Sequence, residues 1–295
     1  MHIATFLFGM TAILGKLITI NEFNLVWYRM LIASLAFLLI PSFWKHIKKI
    51  SKKELNIFFI NGIVVALHWL TFYGSIKINN NASLTLACFG TVSLFAAILE
   101  PIILKTKFKK SEITLGFAVL FGLGFIAYAN PDKDYSLNSN YIIAINLALI
   151  SSLLAVIFTI INKKYIKENN PLIVTWAQMT GGFLFLSLLL PFVIHSGMEF
   201  QFFPNVKDTI LLIIMAILCT NIAFSLEVES LKNMSAFTSN LILNLEPIYG
   251  IVAAIIIFKE NKILNFWFYL GASIIVVSVF AHGFYSKKKS KAILQ

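Results

Sequence analysis

The sequence predicts an all-α polytopic membrane protein, with ten transmembrane helices arranged as two inverted five-helix repeats. Three observations carry that prediction: the composition, the spacing of the apolar runs and the distribution of lysine. Of 295 residues, 59% are hydrophobic and only 13% charged, with a mean hydropathy of +0.84. That is about half the charge density of a soluble domain, so the apolar surface calls for lipid. At about 20 residues per span, a chain of this length has room for about ten helices.

Ten apolar segments lie between polar or turn-forming residues: Ile3–Ile20, Leu25–Phe43, Leu55–Ile76, Ala82–Leu104, Ile113–Ala129, Tyr141–Asn162, Leu172–Ile194, Thr209–Leu226, Ala236–Phe258 and Ile263–Phe284. The runs are continuous, without the short alternating segments of a membrane barrel, which leaves helices. The first segment lacks the basic start and small-residue cleavage site of a signal peptide and carries Lys16, so it reads as a retained helix.

Alternate connections differ sharply in basic residues. One set holds 17 lysines, among them Lys45 to Lys53, Lys105 to Lys110, Lys163 to Lys167, Lys232 and Lys287 to Lys291; the other holds 5. Short basic loops stay on the cytoplasmic side, so both termini are expected there and the 130–140 spacer outside. The expected organisation is a first repeat over 1–129, that spacer, a second repeat over 141–284 and a basic cytoplasmic tail over 285–295. A net charge of +11 does not point to nucleic acid, because the cations lie in loops rather than on one helix face. Cys88 and Cys219 fall inside apolar runs with no metal-ligand spacing, and neither a metal nor a cofactor is expected.

The halves resemble each other weakly. A shift of 155 places Ser75, Ile76 and Lys77 on Ser230, Leu231 and Lys232, and Gly116 on Gly271; earlier, a shift of 149 places Trp27 on Trp176. Five helices per half force the second copy into the membrane from the opposite side, as in many secondary transporters.

Ionisable and polar residues in the spans are the candidates for function, since a charge at mid-membrane costs about 2.5–3.5 kcal/mol on insertion scales. Glu246 lies near the middle of the ninth segment, and Pro247 behind it should leave the Leu243 carbonyl without its helix bond. With Asn240 and Asn244 it forms a polar spot suited to a proton, a cation or a substrate amine, and Glu246 is expected to titrate during transport. The third segment offers His68 and Phe72 on one face and Trp69 and Tyr73 on the next, an aromatic wall or simple packing. Gln178 and Trp176 in the seventh segment are similar candidates. Lys16 and Arg29 lie within about a turn of the ends of their segments, where snorkelling competes with a cavity role. Glu100, Glu227 and Glu229 fall towards segment ends and read as interfacial carboxylates. Gly181, Gly182 and the Ala118 and Gly122 pair read as close helix contacts.

Phe8-Gly9, Gly15-Lys16, Trp27-Tyr28-Arg29, Glu100-Pro101 and the run from Asn244 to Gly250 resemble the drug/metabolite transporter superfamily, specifically its EamA-type ten-helix members. The resemblance implies an alternating-access carrier for amino acids or other small metabolites, with a central cavity and with helices five and ten at the periphery. It also implies a bacterial inner membrane, with a small-molecule substrate and lipid as partners and transport by export or import; export is the expected direction, and the Glu246 carboxylate makes proton coupling the expected drive. Glu100 and Glu246 differ by nine residues in repeat position, about 13 Å of depth, so they are not repeat counterparts. A channel is the alternative from another transport class. An intramembrane enzyme would need a catalytic set such as HExxH, which the sequence lacks.

Overall fold

The computed structural model describes residues 1–129, 139–243, 245–259 and 264–293, and every regular element in them is helical. Each of the ten apolar segments falls on helix, but the chain is cut more finely, into fourteen α-helices. These are α1 (His2–Leu17), α2 (Glu22–Leu38), α3 (Pro41–His46), α4 (Lys52–Asn79), α5 (Ala82–Phe89), α6 (Val92–Leu104) and α7 (Lys110–Tyr128). The second half contributes α8 (Ser139–Tyr165), α9 (Pro171–His195), α10 (Val206–Ala216), α11 (Ala223–Ser230), α12 (Ala236–Leu243), α13 (Glu246–Phe258) and α14 (Phe266–Ile293). Among the described residues, six helical stretches are long and apolar enough to cross a bilayer, and seven if α2 and α3, bent by 77°, make one span. The apolar parts of α1, α7 and α14 are shorter. The chain is a multi-pass membrane protein.

The extra cuts have local causes. Pro41 cannot donate a bond to the end of α2 and instead opens α3. The fourth segment breaks at Gly90 and Thr91, and the ninth between Leu243 and Glu246. Pro247 therefore does not kink a continuous helix, as its sequence context implied. It stands in the first turn of α13, where its missing N–H would have had no helical partner anyway. Between α10 and α11, Ile217–Ile222 widens into a π-helical turn.

Contacts between connections follow the lysine alternation. At the lysine-rich end, Lys163 Nζ donates to the Leu231 carbonyl at 2.7 Å, and Glu54 faces Lys167, Asn169 and His46 across a groove. At the opposite end, Lys77 donates to the Ile18 carbonyl and Tyr28 to that of Phe202. The 130–140 spacer falls almost wholly outside the described residues.

Close helix crossings rest on glycine. A Cβ on Gly62 of α4 would overlap the Gln178 carbonyl of α9, and one on Gly181 would overlap that of Phe59. Helices α7 and α14 pack on each other at the edge, where Gly122 approaches the Gly271 carbonyl and Phe121 remains 66% exposed.

Two helix starts are built alike, 154 residues apart. Ser51 accepts from the Glu54 N–H and donates to its carboxylate at 2.7 Å; Asn205 accepts from the Asp208 N–H and donates to its carboxylate at 3.0 Å. Asp208 also accepts from the Thr19 N–H at 3.0 Å and its hydroxyl at 2.6 Å, which ties the end of α1 to α10. Asp208→Ala is expected to lower stability by about 1.5–3 kcal/mol, because hydrogen bonds to a charged, buried carboxylate are lost. Thermal melting in detergent tests this: Thr19→Ala should add little in the Asp208→Ala background, and additive losses would contradict the pairing.

Candidate functional site

The helix breaks and the π turn surround a narrow cavity near the middle of the bundle, with an open volume of about 30 Å³. Phe8 and Thr11 of α1, Arg29 of α2, His68, Trp69, Phe72 and Tyr73 of α4, and Phe89 of α5 form its first-half walls. Ala155 and Phe158 of α8, Phe224 and Glu227 of α11, Leu243 of α12 and Glu246 of α13 complete it.

Arg29 is 1% exposed, so it does not snorkel. Its Nε donates to Thr220 Oγ1 at 2.7 Å, one terminal nitrogen to the Tyr73 hydroxyl at 2.6 Å and the other to the Cys219 carbonyl at 3.1 Å. Thr220 and Cys219 both belong to the π turn, where the changed bonding pattern releases backbone carbonyls from the regular ladder. The guanidinium also lies 3.6 Å from the centre of the Trp69 ring, a cation–π contact between α2 and α4. Every oxygen that holds it is neutral.

Two carboxylates face the same space. Glu246, 5% exposed, opens α13 at the helix break, and no hydrogen bond or ion pair to it is present among the described residues. Glu227, 1% exposed, accepts from the Thr159 hydroxyl at 3.4 Å. The interfacial reading of Glu227 from the sequence is thus corrected: the π turn and the loop after α11 keep it inside the bundle. Glu229, two residues on, does lie at the surface and pairs with Lys232 at 3.0 Å. Glu100, also read as interfacial, is buried: its carboxylate accepts from the N–H groups of Ala236 and Phe237 at 3.2 and 2.5 Å, capping α12.

The rest of the cavity is aromatic. Trp69 meets Phe224 edge-on at 5.4 Å, Phe224 stacks on Phe158 at 5.7 Å, and Phe89 stacks on the His68 ring at 5.6 Å. His68 Nδ1 lies 3.0 Å from the Ser151 carbonyl oxygen and 2.8 Å from the Ser151 hydroxyl oxygen.

Six of the residues singled out from the sequence therefore meet: Glu246, His68, Trp69, Phe72, Tyr73 and Arg29. The others lie elsewhere. Asn240 is buried in α12 and donates to the Ala236 carbonyl one turn back. Trp176 packs against Phe43 and Phe59. Gln178 belongs to a separate amide cluster, and Lys16 Nζ rests 4.7 Å from the Phe258 ring centre. Asn244 is outside the described residues. Sequence reasoning missed Phe8, Thr11, Phe89, Phe158 and Phe224, because a phenylalanine facing a cavity has the same hydropathy as one facing lipid.

A solved crystal structure superposes with a TM-score of 0.68 over 97% of this chain and 96% of its own, at 10% identity, which establishes a shared fold. No curated protein matches the sequence. The profile of the EamA-like transporter family matches twice, over residues 1–128 and 142–283, once on each half. With both halves matched, the chain belongs to the EamA-like transporter family, a family of membrane transporters.

Proposed function

We propose that the chain crosses a cell membrane ten times as two inverted five-helix repeats, with the lysine-rich end cytosolic, and carries a small organic solute by alternating access. Packing supports the inversion, since partners exchange between halves: α4 on α8 and α9 is matched by α11 on α1 and α10 on α2. Helices α7 and α14 run for 19 and 28 residues, enough for their short apolar parts to complete two spans.

The observation that carries the reading is an interior cavity walled by both halves, with one guanidinium and two carboxylates among aromatic rings. Arg29 is occupied by neutral oxygens, whereas Glu246 has no partner among the described residues. A solute with an aromatic or apolar body and an ammonium group satisfies that carboxylate and rests on the ring faces. A proton and an ammonium compete for the same carboxylate, so one leaves as the other arrives. An inward proton gradient then drives the amine outward.

Proteoliposomes test this with labelled tryptamine, phenethylamine and aromatic amino acids as probes. A carrier gives saturable uptake and counterflow, and a channel gives neither. Glu246→Gln is expected to abolish the pH dependence of net flux; unchanged pH dependence would refute the exchange.

A further inference from the structure

Beyond the cavity wall lies a second polar centre that the carrier reading leaves unused. Asn61 of α4, Asn162 of α8 and Gln178 of α9 meet in the interior, all essentially inaccessible. Asn61 Nδ2 donates to the Phe158 carbonyl at 3.1 Å, which fixes the amide's orientation, because its oxygen cannot face another acceptor. The same nitrogen reaches Asn162 Oδ1 at 3.0 Å, and Gln178 Nε2 reaches that oxygen at 2.5 Å. The orientation of all three amides follows from one backbone carbonyl.

That arrangement leaves Asn61 Oδ1, Asn162 Nδ2 and Gln178 Oε1 without partners, and Thr175 Oγ1, one turn before Gln178, is unpaired too. Reversing all three amides leaves three unpaired atoms again and sets an oxygen against the Phe158 carbonyl. Buried polar groups rarely stay dry, and two acceptors, a donor and a hydroxyl are the partners that internal water requires.

The position of the cluster gives that water a use. Phe158 is a cavity wall, and the Thr159 hydroxyl, which donates to the Ala155 carbonyl at 2.9 Å, also lies 3.4 Å from a Glu227 carboxylate oxygen. Asn162 follows Thr159 on the same helix face, about 4.5 Å further along α8. Tyr165, three residues beyond, ends the helix at the lysine-rich end. At a shift of 149, the repeat counterpart of Gln178 is Arg29, whose three donor nitrogens all have oxygen partners. One counterpart closes its end with charge and the other leaves hydrogen-bonding capacity open.

We infer that Asn61, Asn162 and Gln178 hold a short file of water through which Glu227 exchanges its proton with the lysine-rich side. The titratable groups around Glu227 are Arg29 from α2, His68 and Tyr73 from α4, Glu246 from α13 and the Met1 amino group beside α1. Thr159 reaches Glu227 from the helix that also carries Asn162, so the route runs through it. The inference uses the carrier reading only to name that side cytosolic.

Infrared hydrogen–deuterium exchange on the purified protein tests it without any solute. The carboxyl band of Glu227 is the one lost in Glu227→Gln, and that of Glu246 the one lost in Glu246→Gln. Asn162→Leu, Gln178→Met and the near-isosteric Thr159→Val should each slow deuteration of the Glu227 band on the order of tenfold, the effect of one lost hydrogen-bonded step, with the Glu246 band unchanged. Thr159→Val leaves the amides in place, so its result stands if either amide variant fails to fold. An unchanged Glu227 rate, equal slowing of both bands, or no protonated Glu227 band at any pH where the protein stays folded would overturn it. Because no transport is measured, absent amine counterflow would leave this result standing and count only against the substrate proposal.

Discussion

Arg29→Leu is expected to abolish transport and to lower stability by about 1–3 kcal/mol for each buried oxygen left without its donor. Three hydrogen bonds vanish together, leaving the Tyr73 and Thr220 hydroxyls and the Cys219 carbonyl without their donor. The cation–π contact with Trp69 disappears as well, so α2, α4 and the π turn lose their common anchor. Arg29→Lys should give an intermediate result, because an ammonium keeps the charge but cannot hold the planar fork. Melting followed by tryptophan fluorescence, with uptake in proteoliposomes, measures both effects. Wild-type melting and uptake in Arg29→Leu would show that the guanidinium anchors nothing.

The crossing of α4 and α9 predicts a second large effect. Gly62→Leu or Gly181→Leu is expected to prevent recovery of folded protein. In both cases the added atoms meet the backbone of the facing helix rather than a side chain that could turn aside. Overpacking in well-packed interiors costs about 1–3 kcal/mol when side chains can adjust, and here the helices themselves would have to part. Parting them also breaks the bonds from Asn61 and Gln178 to Asn162, since these amides lie beside the crossing. Gly124→Leu is the control: nothing lies within 4 Å of its Cβ position, so expression and melting should match wild type. Equal behaviour of the Gly62, Gly181 and Gly124 variants in size-exclusion chromatography would contradict the tight crossing.

Much of the architecture was legible because hydropathy and loop charge report directly on lipid and on the two faces of a bilayer. All ten apolar segments fall on helix among the described residues, and three of the lysine-rich connections, around Lys49, Lys167 and Lys232, meet at one end. Glu246 stood out because a carboxylate deep in an apolar run has few inexpensive explanations. The same logic failed for Glu227 and Glu100. Near the end of a segment, a carboxylate at the interface and one folded back into the bundle look identical in sequence.

The sequence by itself determined the helical class, the number of apolar segments, the lysine asymmetry and the carboxylate of the ninth segment, all properties of a residue and its near neighbours. Only the tertiary structure decided that Arg29 is held by a π turn 190 residues away, that Glu227 shares a cavity with Glu246, and that Gln178 joins an amide cluster instead. Those outcomes depend on which helix faces meet and where helices break, and a glycine crossing or a change in helical pitch sets them through space rather than along the chain.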